Sequence, residues 1–172
     1  MYLCLLLPFL KNGKFRQALY TFTASFGFMG GFVSYFSPES MCLPYWTLTI
    51  HSFSWHLILV FLGLYLFFSG RAGTHLRQFL PAAGVYLSLC AVAFCINLFC
   101  YRCPGNDVNM FYVGPKPSPL IVCRDIVAHF GWAVNTVVYV SALTLCAFLF
   151  YFASLLIRKA VERKSSHFRK KE

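Results

Sequence analysis

Four long runs almost free of charge, at 17–36, 48–70, 78–100 and 131–157, constrain this chain more than anything else in it. Each is about as long as the 20 or so residues a helix needs to cross a bilayer. Between them sit short clusters holding nearly all the charge. Only 12% of the 172 residues are charged and 59% are apolar, with a mean hydropathy of +0.64. A soluble domain has about 25% charged residues, so this chain cannot coat a water-facing globule. That excludes a soluble enzyme, a secreted disulfide scaffold despite the eight cysteines, and a disordered binder. The expected fold is an all-α polytopic transmembrane bundle with four complete spans, a partial N-terminal helix and a short outer interfacial helix.

The partial helix is the run 2–10, which stops at Lys11-Asn12-Gly13-Lys14. Nine residues do not span, and the run lacks the basic start and small-residue cleavage site of a signal peptide. It reads as the last half of a helix whose beginning lies upstream. Basic residues then set the orientation, because cytoplasmic loops keep the excess of Lys and Arg. Lys11, Lys14, Arg16, Arg71, Arg77 and seven in the tail fall on one side, twelve against Arg102, Lys116 and Arg124 on the other. The expectation is a multi-pass protein of the cell membrane with its C-terminus cytoplasmic. Residues 1–157 form the helical domain and 158–172 a basic tail that meets anionic lipid headgroups. The net charge of +10 follows from these flanks, and no fold motif for nucleic acid accompanies it.

An ionisable side chain inside a span is a functional hypothesis by default. The second run carries His51 and His56, five apart and so about 140° apart around a helix, which does not build a two-histidine metal site. Cys100 and Cys103 form one CxxC, short of the four ligands of a structural zinc site. No metal or cofactor is expected. Cys90, Cys95 and Cys146 read as small hydrophobes, while Cys103 has Cys123 or Cys42 as possible disulfide partners on the outer side. Gly27 and Gly31, four apart beside Gly30, let a second helix backbone approach within the chain or in an oligomer. Asn97 lies near the outer end of its helix, and Trp132, Asn135 and Tyr139 at i, i+3 and i+7 share one face. Residues 120–130 can form a short helix with Asp125 and His129 on one side.

The stretch MGGFVSYFSP, followed by an apolar helix with His56 ahead of LILVFLGLY, resembles the YwaF-like integral membrane proteins, the transmembrane protein 164 family. INLFCYRCPGNDVNMFYVGPKP is similar to that family's Asn-containing helix end and loop, with Asn97 and Asn109 at the asparagine positions. Phe130-Gly131-Trp132 is similar to its Gly-Pro-Trp stretch but lacks the proline. The resemblance covers residues 11–151. It implies a lipid acyltransferase or related enzyme that uses a cysteine nucleophile and a histidine base. His56 matches the histidine; Cys4 is the thiol on the segment before Lys11, and the family cysteine lies a turn or more further back. Asn97, Asn109, Trp132, Asn135 and Tyr139 are the candidate substrate-binding residues, with membrane lipids as partners. Two other readings stay open: a small-solute binding subunit of a transporter and a non-catalytic membrane scaffold or fragment.

Overall fold

The computed structural model describes residues 7–36, 38–103, 108–116 and 120–169, without the side chains of Ser40, Ile121 and 164–169. Every regular element among them is helical. Leu7–Phe9 is one 3-10 turn, so the described end of the first apolar run is not the α-helical half-span expected. Helix α1 covers 14–34 as three consecutive stretches, Lys14–Phe22, Thr23–Gly27 and Phe28–Ser34, the middle one in π geometry. Helix α2 is Trp46–Phe68 and α3 is Phe79–Tyr101, entered through a 3-10 turn at Leu76–Gln78. Helix α4, Ile121–Arg169, is broken at Gly131.

Three stretches are long and apolar enough to cross a membrane: Trp46–Phe68, Leu76–Tyr101 and Val122–Arg163. Their most apolar windows are only 17%, 28% and 22% buried. Ile50, Leu57 and Phe61 on α2, Leu80, Leu87 and Phe99 on α3, and Val137, Leu145 and Leu149 on α4 all face outward. Apolar exposure on this scale suits a lipid solvent, and the chain is a membrane protein of helical type.

Of the four complete spans expected, the run 17–36 is not among the stretches long and apolar enough to cross. Its helix is divided by the π stretch and carries hydroxyls through its length. Each Ser and Thr hydroxyl is turned back on its own backbone: Thr21 donates to the Gln17 carbonyl, Thr23 to Leu19, Ser25 to Thr21 and Ser34 to Gly30. Such bonding satisfies a polar group without water and bends a helix. Instead of facing lipid, α1 is the most enclosed element, with Ala18, Leu19, Thr21, Thr23, Ala24, Ser25, Phe26, Phe28 and Gly31 buried.

The other helices gather around it. Phe26 stacks on Phe79 and Tyr86 of α3, at 5.4 and 4.5 Å between ring centroids, and Phe28 stacks on Phe150 of α4 at 4.1 Å. On the α2 side, a Cβ added to Gly31 would lie 2.8 Å from the His56 carbonyl, and one added to Gly63 would lie 2.7 Å from Phe28 Cβ. Gly31 therefore packs helix on helix within the chain, whereas a Cβ at Gly27 meets only its own helix around Phe22 and Thr23.

The basic clusters meet at one end. Gln17 Nε2 donates to the Arg71 carbonyl, the Gly73 amide donates to Thr21 Oγ1, and Tyr151 Oη donates to the His75 carbonyl. The Arg158 guanidinium lies against Gly70, whose φ of +70° closes α2. Lys14, Arg16, Arg71, Arg77 and Arg158 thus sit toward the same end of the bundle, and Arg102, Lys116 and, at the start of α4, Arg124 toward the other.

Candidate functional site

His56 lies mid-way along α2, half-buried, among Leu, Ile, Val and Phe neighbours. Its Nδ1 is 2.7 Å from the Ser52 carbonyl oxygen one turn earlier. A carbonyl only accepts, so Nδ1 carries a hydrogen in this contact, and the tautomer it selects has Nε2 as its acceptor. His51 is exposed, with its ring tilted against Trp55 at 5.7 Å. The two histidines therefore occupy different surroundings, as their spacing predicts. Among the described residues, no group of three His, Cys, Asp or Glu side chains is placed to hold a metal ion.

A second group of candidate residues gathers where α3 meets α4 and the loop 108–116. Asn97 is 3% exposed. Its Nδ2 donates to the carbonyls of Met110 at 2.9 Å and Val113 at 2.5 Å, and its Oδ1 accepts from the Met110 amide at 2.8 Å. Both amide hydrogens and the oxygen are thus spent on the loop. Between those anchors Phe111 and Tyr112 hold φ values of +52° and +53°, a region that bulky residues rarely adopt. The turn drives Val113 into the core and sets Tyr112 edge-on to Tyr139, 6.2 Å between centroids. Asn109 Nδ2 donates to the Lys116 carbonyl at 3.4 Å, so it braces the same loop from within.

Asn135 and Tyr139 share one face of α4 as expected. Asn135 is 1% exposed, and its Oδ1 finds no hydrogen-bond partner among the described residues. Trp132 lies against Phe94 of α3 at 6.0 Å and toward the surface. His56 is carried by α2, which packs on the opposite flank of α1 through Gly31 and Gly63. The structure thus unites Asn97, Asn109, Trp132, Asn135 and Tyr139 around one junction and places His56 on another helix pair. Cys4 lies outside the described residues.

Gly131 is the hinge of this region. Its φ of +82° and ψ of 167° fall where essentially only glycine is stable, and the short arm 121–130 turns off the long arm 132–169 there. A short helix stands at 121–130 as that arm, with His129 Nδ1 2.8 Å from the Asp125 carbonyl. Cys42, Cys103 and Cys123 are all unbridged.

Tyr86 and Cys90 are both buried; sequence did not single out Tyr86 and read Cys90 only as a small hydrophobe. They continue the Asn97 face of α3 at steps of four, three and four through Ala93, so tracing the period backward from Asn97 finds them. Arg102 entered only as a topological charge, yet it lines a groove of about 570 Å³ with Leu98, Phe99, Tyr101, Pro115 and Trp132.

No curated protein and no solved structure matches the chain. The profile of the TMEM164 family does, over residues 1–155, and under that description rather than the YwaF-like one. With nearly the whole sequence matched, from the first residue through the Gly131 hinge and most of the last span, the chain belongs to the TMEM164 family.

Proposed function

We propose that this chain is a lipid acyltransferase working inside the membrane, with His56 as its general base. The observation that carries the reading is the bond from His56 Nδ1 to the Ser52 carbonyl, which holds the tautomer whose Nε2 accepts a proton. The resemblance set out above supplies the partner, a cysteine thiol at the Cys4 end of the chain. In the first half-reaction the base removes the thiol proton. Sulfur attacks the carbonyl carbon of a lipid ester, the C–S bond forms, the C–O bond breaks, and the departing alkoxide takes the proton back from the imidazolium. In the second half, His56 deprotonates an acceptor hydroxyl, whose oxygen attacks the thioester. A new C–O bond forms and the C–S bond breaks, and the thiolate recovers the proton. Two easier steps replace one hard one, and an apolar site favours transfer to a lipid over hydrolysis.

In this reading Trp132, Asn135 and Tyr139 contact the lipid, while Asn97 and Asn109 act by holding the loop that closes over them. Helix α1 is a fourth span, shielded from lipid by its neighbours. The basic end of the bundle and the tail face the cytoplasm, and the cell membrane is the site of action. The test offers the purified chain in bilayers a phospholipid labelled in one acyl chain together with an unlabelled lysolipid. Label on the second lipid is expected. No transfer above protein-free bilayers would contradict the reading and favour small-solute binding or a scaffold role.

A further inference from the structure

We propose that the groove between the end of α3 and the Gly131 hinge binds a phospholipid, with its phosphate on Arg102 and an acyl chain along Phe99 and Leu98. Arg102 is the first residue past α3 and is exposed. Among the described residues its side chain makes no hydrogen bond or ion pair. Beside it the lining is apolar and accessible: Phe99 is 74% exposed and Tyr101 57%. Pro115 and Trp132 complete the lining. The volume of about 570 Å³ lies within the roughly 300–1,000 Å³ of ligand sites.

The chemistry follows from the order of these groups along the membrane normal. Phe99 and Leu98 belong to the last turn of a helix apolar enough to span, so they lie at the depth of acyl chains. Arg102 comes about one turn further, at headgroup depth, where a guanidinium pairs with a phosphate through parallel N–H···O bonds. Trp132, with an apolar ring and one N–H donor, suits the boundary between those layers. The wall made by Pro115 is held in place because Asn97 fastens Val113 and the Gly114 amide donates to Thr136 Oγ1 at 3.3 Å. A free anion would use only Arg102; a phospholipid uses the whole groove. The inference rests on the membrane setting alone and not on acyl transfer by His56.

Lipid retention measures it without any turnover. The full chain in detergent is titrated with dioleoyl phosphatidylcholine and examined by native mass spectrometry, beside dioleoylglycerol, which keeps the chains but lacks the phosphate. Wild type is expected to hold one phosphatidylcholine about tenfold more tightly than Arg102→Gln, the worth of one charge-assisted contact. Arg102→Lys should fall between them. Dioleoylglycerol should bind wild type no better than phosphatidylcholine binds Arg102→Gln. Equal retention of both lipids by wild type would overturn the proposal even where Arg102→Gln does not fold. Displacement of the lipid by millimolar inorganic phosphate would overturn it too, by making the site one for the free anion.

Discussion

Asn97 shows how one side chain can set a region. Three hydrogen bonds tie it to Met110 and Val113, and removing them leaves two carbonyls and an amide to find partners at the end of an apolar helix. At about 1–3 kcal/mol for each buried group left unsatisfied, the strained turn at Phe111 and Tyr112 should no longer be held. We expect Asn97→Ala to release the loop: a thiol introduced by Val113→Cys, at a position 1% exposed, should change from protected to maleimide-reactive when Asn97→Ala is added. Continued protection would mean that packing of Val113 alone holds the turn. Sequence located Asn97 and its place near the outer end of a span. It did not show that the amide is consumed by the loop, because the partners are backbone groups thirteen and sixteen residues away and carry no side-chain signature.

At the scale of elements, the contrast between neighbouring glycines tests how α1 meets α2. A Cβ at Gly31 would lie 2.8 Å from the His56 carbonyl and 3.0 Å from Leu59 Cβ, whereas a Cβ at Gly30 meets nothing within 4 Å. Gly31→Ala should therefore cost about 1–3 kcal/mol through overpacking, and Gly30→Ala should gain up to about 1 kcal/mol from helix propensity. Thermal unfolding in detergent should move the two variants in opposite directions. Gly131→Ala belongs to the same scale: with φ at +82° it should cost about 1–3 kcal/mol although its surroundings are open. The small-residue spacing was legible in the sequence, and so were the three long apolar helices. The central position of α1 was not. Its Thr and Ser residues read as a weakly polar span, and only the four bonds to carbonyls one turn back show how such a helix can be buried on most sides. The π stretch at Thr23–Gly27 likewise left no mark in the pattern.

For the whole molecule, charge and folding agree on two unlike ends. Hydrogen bonds from Gln17, Gly73 and Tyr151 bring the start of α1, the α2–α3 loop and the far part of α4 together, joining basic clusters that are more than 140 residues apart in sequence. Reporter fusions after Lys171 and within 105–114 should report opposite compartments, the first cytoplasmic; the same compartment for both would break the order of spans. The candidate site was legible only residue by residue. Sequence offered His56 as base and Asn97, Asn109, Trp132, Asn135 and Tyr139 as substrate contacts of one site, while folding packs α2 on α1 through Gly31 and α3 on α1 through Phe26, contacts between residues far apart in sequence. The central claim is that His56 is a base and not a packing residue. The His56 atom that a Cβ at Gly31 would meet first is the backbone carbonyl, which His56→Ala keeps, so this variant should leave the helix contact and the thermal midpoint nearly unchanged. The decisive measurement is labelled acyl transfer in bilayers by wild type, His56→Ala and His51→Ala. A loss of roughly 100- to 10,000-fold is expected for His56→Ala and little change for the exposed His51→Ala; transfer by His56→Ala at the wild-type rate would contradict the role of His56 as a base.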